Sequence, residues 1–396
     1  MSPCVAPPAK PFGVRVTSNT LPVVVVVLAR DEQRCIARCL NSVVGRGFDR
    51  VIVADTGSVD HTPRIVEEYK SSGVELMRVP WTDSFAEARN SAVDAAGSGW
   101  IVFLDADEWL VPDAPDRLLG ILRTPPVVGD LSRTAFAPII YDVVRDSWVD
   151  QVPRIFLADG GIRFRGAVHE YLAVGDRRDE SIELVSTKVE FRHDGYSREV
   201  IHAKRKTERN LSLLRSAIAA EPQDPRWVYF TVRDALPFLS PDELMRHCET
   251  LRRMASQEVR TGDHVLPSEY LRRALAFACQ SLTVRGEWRV VERYCAEIDE
   301  LDSCSSPDAQ YFRAMIEGLG EVVTDRTLKE TISVRKNEAL LGKSTLCPAG
   351  RHLDAAIAAL VERRFGLERA EEYRAMCLTW DDMIFDQSKL RVQPAL

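Results

Sequence analysis

Four short apolar runs alternate with helical segments in the first hundred residues, and this alternation limits the possible folds more than any other feature. The runs are Val23 to Leu28, Val51 to Ala54, Val74 to Val79 and Ile101 to Leu104. The first is almost wholly β-branched, as suits a strand buried on both faces. Ile36, Leu40, Val43 and Val44 repeat at helical spacing after it, and Gly45 and Gly47 punctuate the end. Asp60, Thr62 and Pro63 open a second helix, with Pro63 suited to its first turn. Phe85 to Ala96 reads as a third. Such alternation predicts an α/β fold: a mixed, mostly parallel sheet with helices on both faces.

At 396 residues the chain exceeds one ordinary domain. With 45% apolar and 28% charged residues it can bury cores, and a net charge of −7 argues against general nucleic-acid binding. The basic clusters Arg163 with Arg165, and Lys204 to Lys206 with Arg209, read as solvated faces unless they adjoin a site. Nine cysteines without paired CxxC motifs argue against a structural zinc and fit reduced thiols, hence an expected cytoplasmic location. Residues 1–20 hold four prolines and no apolar core, which predicts a flexible tail and not a secretion signal. No apolar run is long enough to span a bilayer.

From Thr134 to Phe191 the pattern changes to short β-prone segments, and beyond Ser197 it is helical. Leu271, Leu275, Ala278 and Leu282, then Trp288, Val291, Cys295 and Ile298 after Gly286, predict an antiparallel helical hairpin. Trp227 to Leu236 and Leu244 to Met254 could form another. These pairs have tetratricopeptide-like size without the consensus residues; a non-repeating bundle fits equally. The predicted plan is therefore a tail (1–20), an α/β domain (21–198) and an all-α domain (199–396). Gly320 to Pro348 reads as a mobile loop, and His352 to Arg374 as one helix.

Acidic turns follow three of the strands. Asp105-Ala106-Asp107-Glu108 comes after the fourth, at the carboxyl edge where open α/β sheets bind ligands. Two carboxylates there can hold Mg²⁺ or Mn²⁺ completed by substrate phosphate oxygens. A bare DxD triplet is weak alone and gains weight from its place after a buried strand. Ala29-Arg30-Asp31-Glu32 follows the first strand; taken alone, Asp31 reads best as a helix cap, although acids there can also bond a nucleoside. Asp55-Thr56-Gly57-Ser58-Val59-Asp60 follows the second and reads equally as an ordinary turn or as a base or ribose contact. Arg89 in Phe85-Ala86-Glu87-Ala88-Arg89-Asn90 has a planar fork that matches diphosphate oxygens.

In this order the four segments resemble the inverting family 2 glycosyltransferases of the GT-A fold, over roughly residues 21 to 215. The resemblance implies that Arg30, Asp31, Glu32, Asp55, Gly57, Ser58 and Asp60 surround the nucleoside. Arg89, Asn90, Asp105 and Ala106 would then adjoin the diphosphate, and Asp105 and Asp107 the metal. One departure stands out: the family's first turn more often reads Asn-Glu, and here it is Asp31-Glu32. Arg154-Ile155-Phe156-Leu157, Ile162 to Glu170, His193-Asp194-Gly195-Tyr196, and Lys206 with Arg209-Asn210-Leu211 resemble the branch with a helical C-terminal extension. That branch includes sublancin-type peptide S-glycosyltransferases.

The resemblance implies a uridine-diphosphate sugar as donor. A base must take the acceptor proton on the face opposite the leaving group. Glu170 is the first choice, His169 its rival, and a structural pairing of the two the bland alternative. His193 is the candidate third metal ligand. The expected reaction moves a hexosyl or N-acetylhexosaminyl group to a hydroxyl or thiol of a soluble peptide, glycan or natural product. The alternatives are a sugar nucleotidyltransferase, whose basic Gly-rich loop is missing, and a non-catalytic scaffold with a relic nucleotide site. The helical half is expected to pair two protomers as a homodimer, to bind acceptor, or both.

Overall fold

The computed structural model describes residues 21–125, 129–144, 146–174, 182–195, 206–257, 265–319, 323–377 and 380. The expected tail at 1–20, together with Tyr196, Lys204 and Arg205, lies outside them. The chain forms two compact units, Met1–Lys204 and Arg205–Leu396.

The first unit begins as β1 (Val23–Ala29), α1 (Ile36–Asn41), β2 (Arg50–Asp55), α2 (Thr62–Glu68), β3 (Val74–Arg78), α3 (Phe85–Ala96), β4 (Trp100–Asp105), β5 (Glu108–Leu110) and α4 (Ala114–Arg123). It continues as β6 (Thr134–Asp142), β7 (Ser147–Val149), β8 (Ile155–Leu157), β9 (Ile162–Arg165), β10 (Tyr171–Val174) and β11 (Glu183–His193). The main sheet runs β3-β2-β1-β4-β8-β6-β11-β5, with β7 beside β6. Strands β1 to β4 are mutually parallel where they pair, and β8 enters antiparallel between β4 and β6. Val23, Val25 and Val27 pack into one apolar cluster, Val24 and Val26 into the other. The period-two alternation thus buries β1 on both faces, as its β-branched run predicts.

Register decides where the acids go. Ala29 lies opposite Asp55, and Leu28 opposite Asp105, so the carboxyl ends of β1, β2 and β4 form one edge. Strands β9 and β10 make a separate two-stranded ribbon whose turn carries His169 and Glu170. Helix α3 brings that ribbon in. Asn90 bonds the backbone of Phe164 in both directions at 2.9 Å, and the Phe85 amide donates to the Ala167 carbonyl at 2.9 Å. Ser84 caps α3 by accepting from the Glu87 amide.

The second unit is helical: α5 (Lys206–Ala220), α6 (Pro225–Ala235), α7 (Pro241–Ser256), α8 (Pro267–Val284), α9 (Trp288–Asp302), α10 (Pro307–Leu319), α11 (Asp325–Arg335), α12 (Glu338–Leu341), α13 (Arg351–Phe365) and α14 (Leu367–Arg374). The hairpin expected from Leu271 to Ile298 is α8 with α9. Some alternate helices also touch, α6 on α8 and α8 on α10, and α10 packs on α13 beyond the short α12. The stacking of α6, α8 and α10 resembles the packing of helical-hairpin arrays. Two expectations fail here. The stretch read as a mobile loop holds α11 and α12, because Leu328, Thr331, Val334 and Leu341 are buried and Thr324 caps α11. The single helix read from His352 to Arg374 breaks at Gly366, whose φ of 92° ends α13. Among the described residues no helix is long and apolar enough to cross a membrane.

Candidate active site

The turns after β1 and β2 are stitched to each other. Asp31 has a left-handed backbone, φ 54°, and is no helix cap; α1 starts five residues later at Ile36. Its carboxylate instead accepts from the Val59 and Asp60 amides at 2.8 and 3.3 Å, while its own amide donates to Ser58 Oγ. The sequence pattern suggested a cap because short acids serve both roles; the positive φ decides against it. Glu32 and Gln33 amides donate to Thr62 Oγ1 and Asp60 Oδ2. Burial would raise the Asp60 pKa, but bonds from Thr62 and Gln33 outweigh it and hold it below its ordinary value. Asp55 is 1% exposed; its Oδ1 accepts the Ser58 amide, and its Oδ2 faces Arg78 at 3.2 Å. Gly57 sits at φ 100°, where a side chain would be strained. Arg30 lies over the Trp81 ring at 5.7 Å. The nucleoside-side residues expected from the sequence therefore form one continuous rim.

Next to the rim lies a network of five buried or half-buried charges. Arg89 donates from Nε to Glu170 Oε1 at 2.7 Å and from Nη2 to Asp105 Oδ1 at 2.9 Å. Arg154 donates from Nη2 to Asp105 Oδ2 at 2.7 Å and to Glu108 Oε1 at 2.8 Å. Glu108 Oε2 accepts the Asp105 amide. Burial would raise the Asp105 carboxyl; Arg154 and Arg89 overcome this and hold it far below the usual range. Glu108 is driven the other way, chiefly by burial and against the pull of Arg154, with Asp105 adding repulsion. Arg89 also lies over the Phe103 and Phe164 rings at 5.3 and 5.4 Å. Hence Arg89, expected at the diphosphate, is engaged in joining β4 to the β9–β10 turn. Asn90, expected beside it, is spent on the Phe164 backbone. Ala106 is buried.

The expected metal set is not assembled. Among the described residues no three His, Cys, Asp or Glu side chains stand together so as to hold a metal ion. The physical reason is visible at Asp105, both of whose oxygens are taken by arginines. His193 ends β11, buried, with its backbone opposite Glu108. Asp107 is placed differently. It lies flush against Gly195, where a Cβ would overlap its Oδ2 and approach its Cγ to 2.8 Å. A single carboxylate completed by diphosphate oxygens is a donor set that suits a hard divalent cation. By that chemistry the residues fit Mg²⁺ or Mn²⁺ through Asp107, with Asp105 turned inward.

Arg34, Arg38, Cys35, Arg154 and Asp194 had no role assigned from sequence. Arg154 opens an apolar triplet, and nothing local marks it as the partner of an acid 49 positions earlier. Arg34 and Arg38, four apart, both bind Asp194, which is thereby held well below the usual carboxylate range against burial. The i, i+4 spacing of the two arginines was the available signal. His169 adopts a left-handed backbone, φ 51°, in the turn that carries Glu170. Cys35 reaches Glu32 Oε2 at 3.2 Å, and burial together with Glu32 pushes its thiol up to about 12.

Residues 24–149 match glycosyl transferase family 2. The SPbeta prophage-derived glycosyltransferase SunS of Bacillus subtilis is 28% identical over 300 residues, 76% of this chain and 67% of SunS. A TPR repeat-containing protein of Synechococcus elongatus is 34% identical over 210 residues, 50% of this chain and 48% of its own length. Among solved structures, S. aureus TarS aligns with a TM-score of 0.38 at 13% identity, over 74% of this chain and 53% of that one. The chain thus spans about two thirds of SunS and about half of the cyanobacterial protein and of TarS. The stretch of this chain that matches glycosyl transferase family 2, residues 24–149, lies wholly in its first, α/β unit.

Proposed function

We propose that this protein transfers a sugar, with inversion, from a nucleoside-diphosphate donor to a hydroxyl or thiol of a separate acceptor. The observation that carries the reading is Arg89, which links Asp105 at the sheet edge to Glu170 across 81 residues of sequence. A DxD acid and a candidate base are thereby held in one constellation. The uridine preference, and a peptide as one acceptor class, rest on the family resemblance.

In this mechanism the rim of Asp31, Glu32, Asp55, Ser58 and Asp60 receives the nucleoside. Asp107 would hold Mg²⁺ or Mn²⁺, which when bound neutralises charge on the leaving diphosphate. Arg89 fixes Glu170 Oε1, and among the described residues Oε2 accepts no hydrogen bond. Glu170 Oε2 takes the proton from the acceptor O–H or S–H. The acceptor atom bonds to the anomeric carbon from the face opposite the diphosphate, and the bond to the phosphate oxygen breaks with its electron pair. His169, in the same turn, is the alternative base.

The test is donor hydrolysis. Purified protein is incubated with UDP-, GDP- and dTDP-sugars in Mn²⁺, Mg²⁺ or EDTA, and the released nucleoside diphosphate is measured. Metal-dependent release from one or two donors is expected. No release, together with no thermal stabilisation by any donor, would overturn the reading.

A further inference from the structure

Helix α1 belongs to the nucleoside side of the site, yet two arginines beside and within it reach across to the segment after β11. Arg34 donates to Asp194 from Nη1 and Nη2 at 2.9 and 3.0 Å, and Arg38 donates to Asp194 Oδ2 at 2.9 Å. Arg38 also lies over the Trp109 ring, 3.8 Å from its centroid, and Trp109 is two residues beyond Asp107. The neighbour of Asp194 is Gly195, whose missing Cβ is what leaves room for the Asp107 carboxylate. Three charge-assisted hydrogen bonds therefore place the one backbone against which Asp107 rests, and a guanidinium stacked on Trp109 steadies the other side.

We propose that Arg34, Arg38, Asp194 and Gly195 form a positioning clamp that sets the Asp107 carboxylate for the metal-bound diphosphate, and so ties the nucleoside-binding turn to the diphosphate end of the site. The inference rests on the function proposed above and assigns no proton transfer to the clamp. Its physical basis is that outer-shell partners orient a ligating carboxylate, and their loss weakens the metal site. Gly195→Ala is the sharpest probe. The atom it displaces is the far end of the Asp107 side chain, so the fold can absorb the change by rotating that carboxylate out of place.

The experiment is calorimetric titration of the full chain with UDP, once with Mn²⁺ and once with EDTA. The readout is the factor by which Mn²⁺ tightens UDP binding. Gly195→Ala and the double variant Arg34→Gln, Arg38→Gln should each lose about 10- to 100-fold of that factor, the range outer-shell substitutions remove. Their UDP affinity in EDTA and their circular dichroism should match the unaltered chain. Arg38→Lys keeps the charge but loses the planar stack on Trp109, and should fall between. Variants that keep the full Mn²⁺ factor, or lose affinity equally with and without metal, would overturn the clamp and leave the transferase reading standing. An unaltered chain with no Mn²⁺ factor for UDP, GDP or dTDP would overturn the clamp, and the transferase reading falls with it only if no donor is hydrolysed and none stabilises the chain.

Discussion

Both units bury charge, but they use it differently. In the α/β unit five charged side chains, Arg89, Asp105, Glu108, Arg154 and Glu170, converge from four separate parts of the chain on one edge of the sheet. In the helical unit the buried charges tie neighbouring helices and the turns between them. Asp308 accepts from Ser344 Oγ and from the Thr345 amide, so it fixes the loop before α13. Arg335 pairs with Asp354, and Arg272 with Glu269 and Asp302. Burial of charge therefore does not by itself mark a site. Convergence at a strand-end edge, with more charge than local closure needs, does.

The largest effect should come from Arg89→Ala. It leaves Glu170 without its arginine and Asp105 with Arg154 alone, and a broken buried pair costs about 3–5 kcal/mol. Denaturant unfolding of the first unit should show that loss together with abolished donor hydrolysis. A variant of normal stability would mean the convergence is looser than drawn. Next comes Glu170→Gln, which should lower sugar transfer by about 10²- to 10⁴-fold, the usual contribution of a general base, with donor binding little changed. Should His169→Ala show that profile and Glu170→Gln not, the base is the histidine.

The third test belongs to the helical unit. Burial depresses the His352 pKa from 6.5 to about 4, with Asp308 opposing. In the unfolded chain this group protonates near its ordinary value, so the unfolded state binds the proton first as pH falls. The stability it allows is full above about pH 6.5 and declines between there and about pH 4, by about 3 kcal/mol in all. Unfolding midpoints measured from pH 7 to 4 should therefore fall more steeply for the unaltered chain than for His352→Gln. Equal slopes would show that the imidazole is not the titrating group. The smallest effect is Ser240→Ala. It removes a capping box in which Ser240 and Glu243 satisfy each other's backbone amides, at a cost of about 1 kcal/mol to α7. Donor hydrolysis should not change; a change would mean that local closure in the helical unit matters to the site.

Much of the fold was legible because its signals are local. Val23 to Leu28 and Ile101 to Leu104 announce buried strands within six residues, and Phe85–Ala96 reads as a helix to the residue. The hairpin at Leu271 to Ile298 is equally plain from its spacing. Where two local signals compete, reading fails. Asp31 looked like a cap, yet its φ turns it toward Val59 and Asp60. The polar stretch after Gly320 looked like a loop, although its few apolar residues suffice for a short buried helix once a core exists to receive them.

The acids themselves were visible in the chain: three strand-end turns rich in Asp and Glu, and His169-Glu170 further on. Their division of labour was not. Whether Asp105 faces a metal or two arginines depends on β8 inserting antiparallel beside β4, which carries Arg154 to it. Whether Asp107 has room depends on Gly195 after β11. Periodicity and turn chemistry act over a few residues and can be read directly. The pairing of charges depends on sheet order and register, which bring distant segments within 3 Å and are set only when the whole core packs.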